Sequence, residues 1–175
     1  IDFSFLQELK YIFTDLDDTL TWKGKLLRES YDALWKLNNN GFETIVITGR
    51  CAGWVDHIAR MWPVKGVIGE NGAFYSYYDQ NETPKKLKKR NFLNSHEITN
   101  NIHKFDIIKK EVFEKYPTCK LASDQSYREF DLAIDFCEDV PKLEMEKVIK
   151  IKNIFEKHGA HAKISSIHVN GWYGD

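Results

Sequence analysis

The chain has 175 residues, with 25 Lys and Arg against 26 Asp and Glu, for a formal net charge of -1. Hydrophobic residues make up 42% and charged residues 29%, which supports a packed core of one large or two small domains and excludes global disorder. The near-neutral balance argues against a nucleic-acid-binding surface over the whole chain and leaves room for a local basic pocket for a phosphorylated small molecule. "YIFT", residues 11–14, reads as a short buried strand. "ESYDALWKLNNNG" follows as a helix, with Tyr31, Leu34, Trp35 and Leu37 at helical spacing and Asn40-Gly41 as its stop. "FETIVIT" is a continuous apolar strand of the parallel-sheet kind, and "GWVDHIARMW" a second helix ending near Pro63. "VKGVIGENGAFYSYY" gives strand, glycine-rich turn and strand. This order implies a parallel sheet with right-handed crossovers.

The pattern changes after Tyr78. "DQNETPKKLKKRN" is polar, basic and loop-like; no aromatic residues interleave with its charges, so a solvated loop fits better than an anion-binding surface. Residues 95–116 form a long amphipathic stretch, with Ser95 as the expected N-cap. "CKLAS" and "EFDLAIDF" are strand candidates. In the second, Phe130, Leu132, Ile134 and Phe136 alternate with Asp131, Ala133, Asp135 and Cys137, so one face is apolar. "PKLEMEKVIKIKNIFEKHG" is a helix with Pro141 in its first turn and Gly159 beyond its end. "AHAKISSIHVNGW" reads as a last strand, and this second half as a separate α+β unit. Trp35, Trp54 and Trp62 sit at spacings that fit core packing.

Cys51, Cys119 and Cys137 form no Cys-x-x-Cys pair and no metal-site spacing, as expected of reduced thiols in a cytoplasmic protein. No basic region followed by an apolar run marks a signal peptide, and no stretch approaches the roughly 20 apolar residues of a membrane helix. Ile1 is not a methionine, and the native start is expected to precede it.

"YIFTDLDDTL" ends an apolar strand on Asp15, Asp17 and Asp18. In an open parallel sheet, ligands bind beyond the carboxyl ends of the strands. Carboxylates at i and i+2 after such a strand can reach one site and hold a divalent cation, and oxygen ligands suit Mg²⁺. Asp15 then stays ionised, while Asp17, if it is not a side-chain ligand, is free to carry a proton; a nucleophile beside an acid/base is a layout for phosphoryl transfer. The bland alternative is an acidic turn. "IVITGR" ends the neighbouring strand on Thr48, Gly49 and Arg50, where a hydroxyl and backbone N–H groups can hold phosphate oxygens and Gly49 allows close approach.

Together, "DLDDTL" and "IVITGR" resemble the first and second motifs of the haloacid dehalogenase superfamily of phosphohydrolases. "GVIGENGAFYSYYD" looks like the exit into a large α/β cap, and "SSIHVNGWYGD" like the return from it. This organisation is similar to the subclass holding sucrose-phosphate, trehalose-phosphate and mannosylphosphoglycerate phosphatases, the Cof-type hydrolases and phosphomannomutase. The resemblance implies a Rossmann-like parallel-sheet α/β core at 1–73, an inserted α+β cap at 74–170 and a return to the core at 171–175. It makes Asp15 the nucleophile and a Mg²⁺ ligand. Asp17 becomes the general acid/base and a Mg²⁺ ligand through its backbone carbonyl. Thr48 and Gly49 hold the phosphoryl group, and Arg50 and Asn71 face the substrate. Asp18 and Thr19 shape the turn. The superfamily also uses a third-motif lysine and a fourth-motif acidic pair after the cap. The chain reaches Gly174-Asp175 before either, so it reads as the front half of such an enzyme plus its cap, with an open edge on the first strand that invites self-association.

In the cap, Asp124 and Arg128 read either as a surface ion pair or as a substrate contact, because an Arg offers bidentate recognition of an anion. Ser166, His168 and Asn170 alternate along the last strand and share a face; His168 reads either as structural or, with Asn170, as lining the substrate site. The expected function is a Mg²⁺-dependent phosphohydrolase acting on a small phosphorylated metabolite, a sugar phosphate first, through an aspartyl-phosphate. A phosphomutase and a catalytically incomplete binding module are the alternatives. Neither a nucleic-acid nor a membrane partner is expected.

Overall fold

The computed structural model describes residues 9–174. They form two compact units that divide between Phe92 and Leu93. The first holds β1 (Tyr11–Asp15), the two-residue strands β2 (Thr21–Trp22) and β3 (Lys25–Leu26), α1 (Arg28–Asn39), β4 (Glu43–Ile47), α2 (Ala52–Met61), β5 (Gly66–Gly69), β6 (Phe74–Asp79) and β7 (Lys86–Asn91). Its main sheet has the order β1-β4-β5-β6-β7. β1, β4 and β5 are parallel, with Asp15 beside Ile47 and Ile47 beside Ile68. Right-handed crossovers in one direction put α1 and α2 on the same face. There Val46, Val67 and Thr44 are buried with Leu34, Val55 and Ile58. Tyr11, Phe13 and Ile47 alternate onto the opposite face and stay exposed, Phe13 at 59%.

The parallel part of the sheet ends at β5; β6 and β7, which the sequence reading placed in the cap, continue it and are both antiparallel to their neighbours. The lysine-rich segment expected as a loop is strand β7. Its position explains the error: β7 is the last strand of the sheet, where lysines reach water and discourage further pairing. Lys89 also lies over the Phe74 ring, 5.1 Å from its centroid. Because β6 and β7 extend the sheet of β1, the contacts divide the chain after Phe92, whereas the sequence reading divides it after residue 73.

The second unit holds α3 (Ser95–Lys115), β8 (Lys120–Leu121), β9 (Asp131–Asp135), α4 (Met145–Lys157), β10 (His161–Ile164) and β11 (His168–Trp172). Its antiparallel sheet has the order β10-β11-β9-β8. Phe105, Ile108 and Val112 of α3 and Val148, Ile151 and Phe155 of α4 pack on Leu132, Ile134, Phe136 and Val169. Each such side chain contributes about 1.5–3 kcal/mol by leaving water. The N-cap of α3 is Asn94, not Ser95. Asn94 Oδ1 accepts the Glu97 N–H at 3.0 Å while Glu97 Oε2 accepts the Asn94 N–H at 2.9 Å, a reciprocal box that Ser95 is one residue too late to make. Pro141 precedes α4 rather than entering its first turn. The expected last strand is a hairpin, turned at Ser165, whose Oγ accepts the His168 N–H at 2.9 Å. Among the described residues, no helix is long and apolar enough to cross a membrane.

Glu111 ties α3 to α4. Its carboxylate accepts from Lys115 at 2.6 Å and Lys157 at 3.1 Å, and lies 2.7 Å from His158 Nε2. Lys115, His158 and Lys157 lower its pKa from 4.5 to about 2. A carboxylate depressed in the folded state stabilises fully above its ordinary pKa and loses that contribution as pH falls through the folded value. Glu111→Gln should therefore cost stability at pH 6, and the gap to the parent should close between pH 4.5 and 2. Urea midpoints of the two proteins across that range test this; a gap independent of pH contradicts it.

Candidate active site

β1 delivers Asp15 to the carboxyl end of the parallel sheet, and the turn after it is pinned by one residue. Leu16 is buried, and its carbonyl accepts from Leu20 N–H at 3.0 Å, Thr21 N–H at 2.9 Å and Thr21 Oγ1–H at 3.2 Å. Asp18 completes the turn in the left-handed region, at φ 58. Asp15 and Asp17 therefore flank a fixed point. The Asp15 carboxylate is exposed and accepts no hydrogen bond from the described residues. The Asp17 carboxylate is clamped: Arg50 Nε–H reaches both its oxygens at 3.1 Å, and an Nη2–H reaches Oδ1 at 2.8 Å.

The second strand end supplies Thr48, whose Cα neighbourhood adjoins Asp15 through the Asp15–Ile47 pairing. Thr48 is buried, and its Oγ1 accepts the Arg50 N–H at 3.1 Å, which leaves the hydroxyl proton available to an incoming oxygen. Asn71, at φ 58, donates its N–H to the Thr48 carbonyl at 3.4 Å. A Cβ on Gly49 would come within 2.9 Å of Asn71 Oδ1, so glycine is what lets these two loops meet. Asn71 thus braces the Thr48 loop. Glu70, which the sequence reading placed in the glycine-rich turn without a role, is fully buried at φ 44, and its Oε1 accepts the Ala52 N–H at 2.9 Å. A side chain 18 residues downstream occupies an orphan donor of α2. Only the unusual "GENG" composition hinted at it. Trp54 corrects another expectation: it is 48% exposed rather than core, and Arg50 lies over its ring at 4.8 Å.

Among the described residues, no group of three or more His, Cys, Asp or Glu side chains is placed to hold a metal. The Asp15 carboxylate and the Asp17 carbonyl nevertheless offer two hard oxygen donors without described partners. Such a pair fits Mg²⁺, which keeps several waters and takes substrate phosphate oxygens. The Asp17 carboxylate, held by Arg50, is not a third donor.

The expected residues of the second unit form two clusters. Arg128 is enclosed by carboxylates: Nε–H and Nη2–H donate to Asp124 at 3.0 and 2.9 Å, and Nη1–H groups donate to Asp131 at 3.0 and 2.9 Å. The Arg128 side chain is 5% exposed and that of Asp131 0%, so this is not a surface pair. Burial opposes the guanidinium charge, and the two carboxylates outweigh it, so Arg128 stays ionised. Asn170 hydrogen-bonds to Asp131 from the neighbouring strand. Ile98, Ile102, Phe105 and Leu132 wall an open cavity of about 450 Å³ beside Arg128. His168 faces Asp135 across the β9–β11 pairing, and its Nε2 lies 2.9 Å from Glu138 Oε2. Ser166 lies in the turn rather than on their strand. Burial opposes ionisation of Asp135, but the N–H groups of Glu138, Asp139 and Cys137 outweigh it and hold its pKa below the usual range.

A family model described as haloacid dehalogenase-like hydrolase matches residues 12–166. No curated protein sequence matches significantly. Among solved structures, a Thermoplasma acidophilum protein is similar with TM-score 0.67 and 14% identity, covering 95% of this chain and 65% of that one. A trehalose-6-phosphate phosphatase related protein is similar with TM-score 0.58 and 14% identity, covering 93% and 67%. The IMP-nucleotidase of Plasmodium falciparum is similar with TM-score 0.61 and 12% identity, covering 95% and 48%. At these identities the likeness concerns the fold. The chain spans between 48% and 67% of the length of these three structures.

Proposed function

The chain belongs to the haloacid dehalogenase-like hydrolases, and from that premise we propose that it is a Mg²⁺-dependent phosphohydrolase releasing phosphate from a small phosphorylated metabolite, a sugar phosphate first. The observation that carries this reading is the Asp15 carboxylate at a parallel strand end, without a partner among the described residues, next to the Thr48 strand end, with the Asp17 carboxylate held two residues on. In the reaction we infer, an Asp15 oxygen attacks phosphorus and the P–O bond to the leaving alcohol breaks. Asp17 enters this step protonated, gives that oxygen its proton, and is left as the carboxylate that Arg50 holds. A water, deprotonated by Asp17, then attacks the aspartyl-phosphate and frees inorganic phosphate, restoring both carboxyl groups. Thr48 Oγ–H donates to a phosphoryl oxygen, and Gly49 and Asn71 keep the loop that presents it. Bound through Asp15 and the Asp17 carbonyl, Mg²⁺ would neutralise charge on the phosphoryl oxygens.

The family and its phosphatase neighbours support this chemistry at the level of a hydrolase; the sugar phosphate rests on the cap resemblance alone. Arg128 is left out of the substrate contacts, because Asp124 and Asp131 occupy its donors. Phosphate release from a panel of sugar, nucleotide and aryl phosphates, with Mg²⁺ and with chelator, tests the reading. Inorganic phosphate should appear only with Mg²⁺, and an isomeric sugar phosphate in its place would identify a mutase. Asp17→Asn should lower kcat/KM, which reports formation of the aspartyl-phosphate, by about 10²–10⁴-fold for sugar phosphates and much less for an activated aryl phosphate, whose leaving group needs no proton. An equal fall in kcat/KM on both would remove the acid role from Asp17.

A further inference from the structure

Arg50 was expected to face the substrate, yet its side chain turns toward another residue of the site. The edge that a guanidinium uses for two parallel hydrogen bonds, Nε–H and Nη2–H, is spent on the Asp17 carboxylate at 3.1, 3.1 and 2.8 Å. Its flat face lies over Trp54, with Cζ 4.8 Å from the ring centroid. Its backbone is fixed as well: the N–H donates to Thr48 Oγ1 at 3.1 Å, and the carbonyl accepts the Glu70 N–H at 3.2 Å.

We propose that Arg50 is a positioning residue that fixes the orientation of the Asp17 carboxylate, with Trp54 as its backing surface. The proposal rests on the phosphohydrolase reading above. Asp17 needs such help. Its side chain is 44% exposed and sits in a turn whose next residue is in the left-handed region, and no other described side chain holds it. Untethered, that carboxylate would spread over several rotamers, and proton transfer requires one. An error of about 1 Å in a reacting group can cost on the order of 10²-fold in rate. The planar fork fixes a carboxylate in a way a lysine ammonium cannot, and stacking on an indole removes the remaining freedom of the long arginine side chain. Arg50 also joins the two halves of the site, since one residue touches both the Thr48 hydroxyl and the Asp17 carboxylate.

The test compares Arg50→Ala, Arg50→Lys and Trp54→Leu in the full chain, on a sugar phosphate and on para-nitrophenyl phosphate. Arg50→Ala should lower the single-turnover rate of leaving-group release from the sugar phosphate by about 10²-fold, lower it far less for the aryl phosphate, and leave KM within a few-fold. Arg50→Lys should recover only part of the loss, and Trp54→Leu should give a smaller effect with the same substrate bias. A tenfold or greater rise in KM at unchanged kcat on both substrates would place Arg50 on the phosphoryl group and overturn the proposal. So would an equal fall in the single-turnover rate of leaving-group release from both. A second measurement needs no turnover: Asp17→Ala should change tryptophan emission in the parent but not in a Trp54→Phe background, because freeing the guanidinium alters only the Trp54 environment. The same change in both backgrounds, or none in either, overturns the linkage. Loss of phosphatase activity in the parent, with the emission result intact, would count against the functional reading and not against the clamp.

Discussion

Asp15→Asn should reduce turnover in the full chain by roughly 10⁴-fold or more while leaving the thermal midpoint nearly unchanged. The two halves of that expectation have separate causes. Asp15 is the strand-end carboxylate with no described partner, so it is the one free to attack phosphorus; an amide oxygen in its place is a poor nucleophile. For the same reason its replacement breaks no ion pair and no hydrogen bond of the fold, and exposed positions of that kind usually move stability by less than about 0.5 kcal/mol. Phosphate release and thermal denaturation on one preparation check both. A variant that retains most of its activity contradicts the covalent route. One that unfolds early would make Asp15 a structural residue.

The largest expected effect on stability lies at Arg128. Arg128→Ala should destabilise the protein by about 3–5 kcal/mol, because it leaves the fully buried Asp131 carboxylate without its charge partner. In a chain of this length that is a fall in thermal midpoint on the order of 10 °C. The penalty arises from the stranded charge rather than from any large net value of the ion pair. Arg128→Met combined with Asp131→Leu should therefore recover most of the loss. A double variant no more stable than Arg128→Ala contradicts this account, and so does a single variant with an unchanged midpoint, since Arg128 would then be dispensable to the fold.

What could be read from the residues was what local pattern determines. "YIFTD" and "ETIVI" are short apolar runs, and parallel pairing of such runs sets Asp15 beside Ile47 and so beside Thr48. The amphipathic helices were equally legible, because Phe105, Ile108 and Val112 share one face whatever they pack against. The misses come from effects that a local pattern does not carry. "KLKKRN" is strand by virtue of its place beside β6, and its charges are tolerated because nothing pairs with its other edge among the described residues. Alternation along β9 identified an apolar face but gave no sign that Asp131 and Asp135 are buried too, on a face where Arg128 and three backbone N–H groups satisfy them. The ties that organise the candidate site, Arg50 to Asp17 and Glu70 to Ala52, span 33 and 18 residues and exist only once the strand ends are brought together. Asp15, Asp17 and Thr48 stood out because their spacing follows directly from two strand ends. The role of Arg50 did not, because an arginine after a strand looks the same whether it points to a ligand or to a neighbouring carboxylate.

The central claim is that phosphate passes through Asp15. The most direct measurement is an acid quench of the full chain during turnover of a labelled phosphorylated substrate, followed by peptide mapping. The account predicts one phosphoryl group on the peptide containing Asp15, removed by hydroxylamine as an acyl-phosphate would be. With an aryl phosphate, whose transfer to Asp15 needs no proton, it should accumulate when Asp17→Asn slows hydrolysis of the intermediate, and it should be absent from Asp15→Asn. Steady release of inorganic phosphate with no label on that peptide, or with the label on another residue, would contradict it.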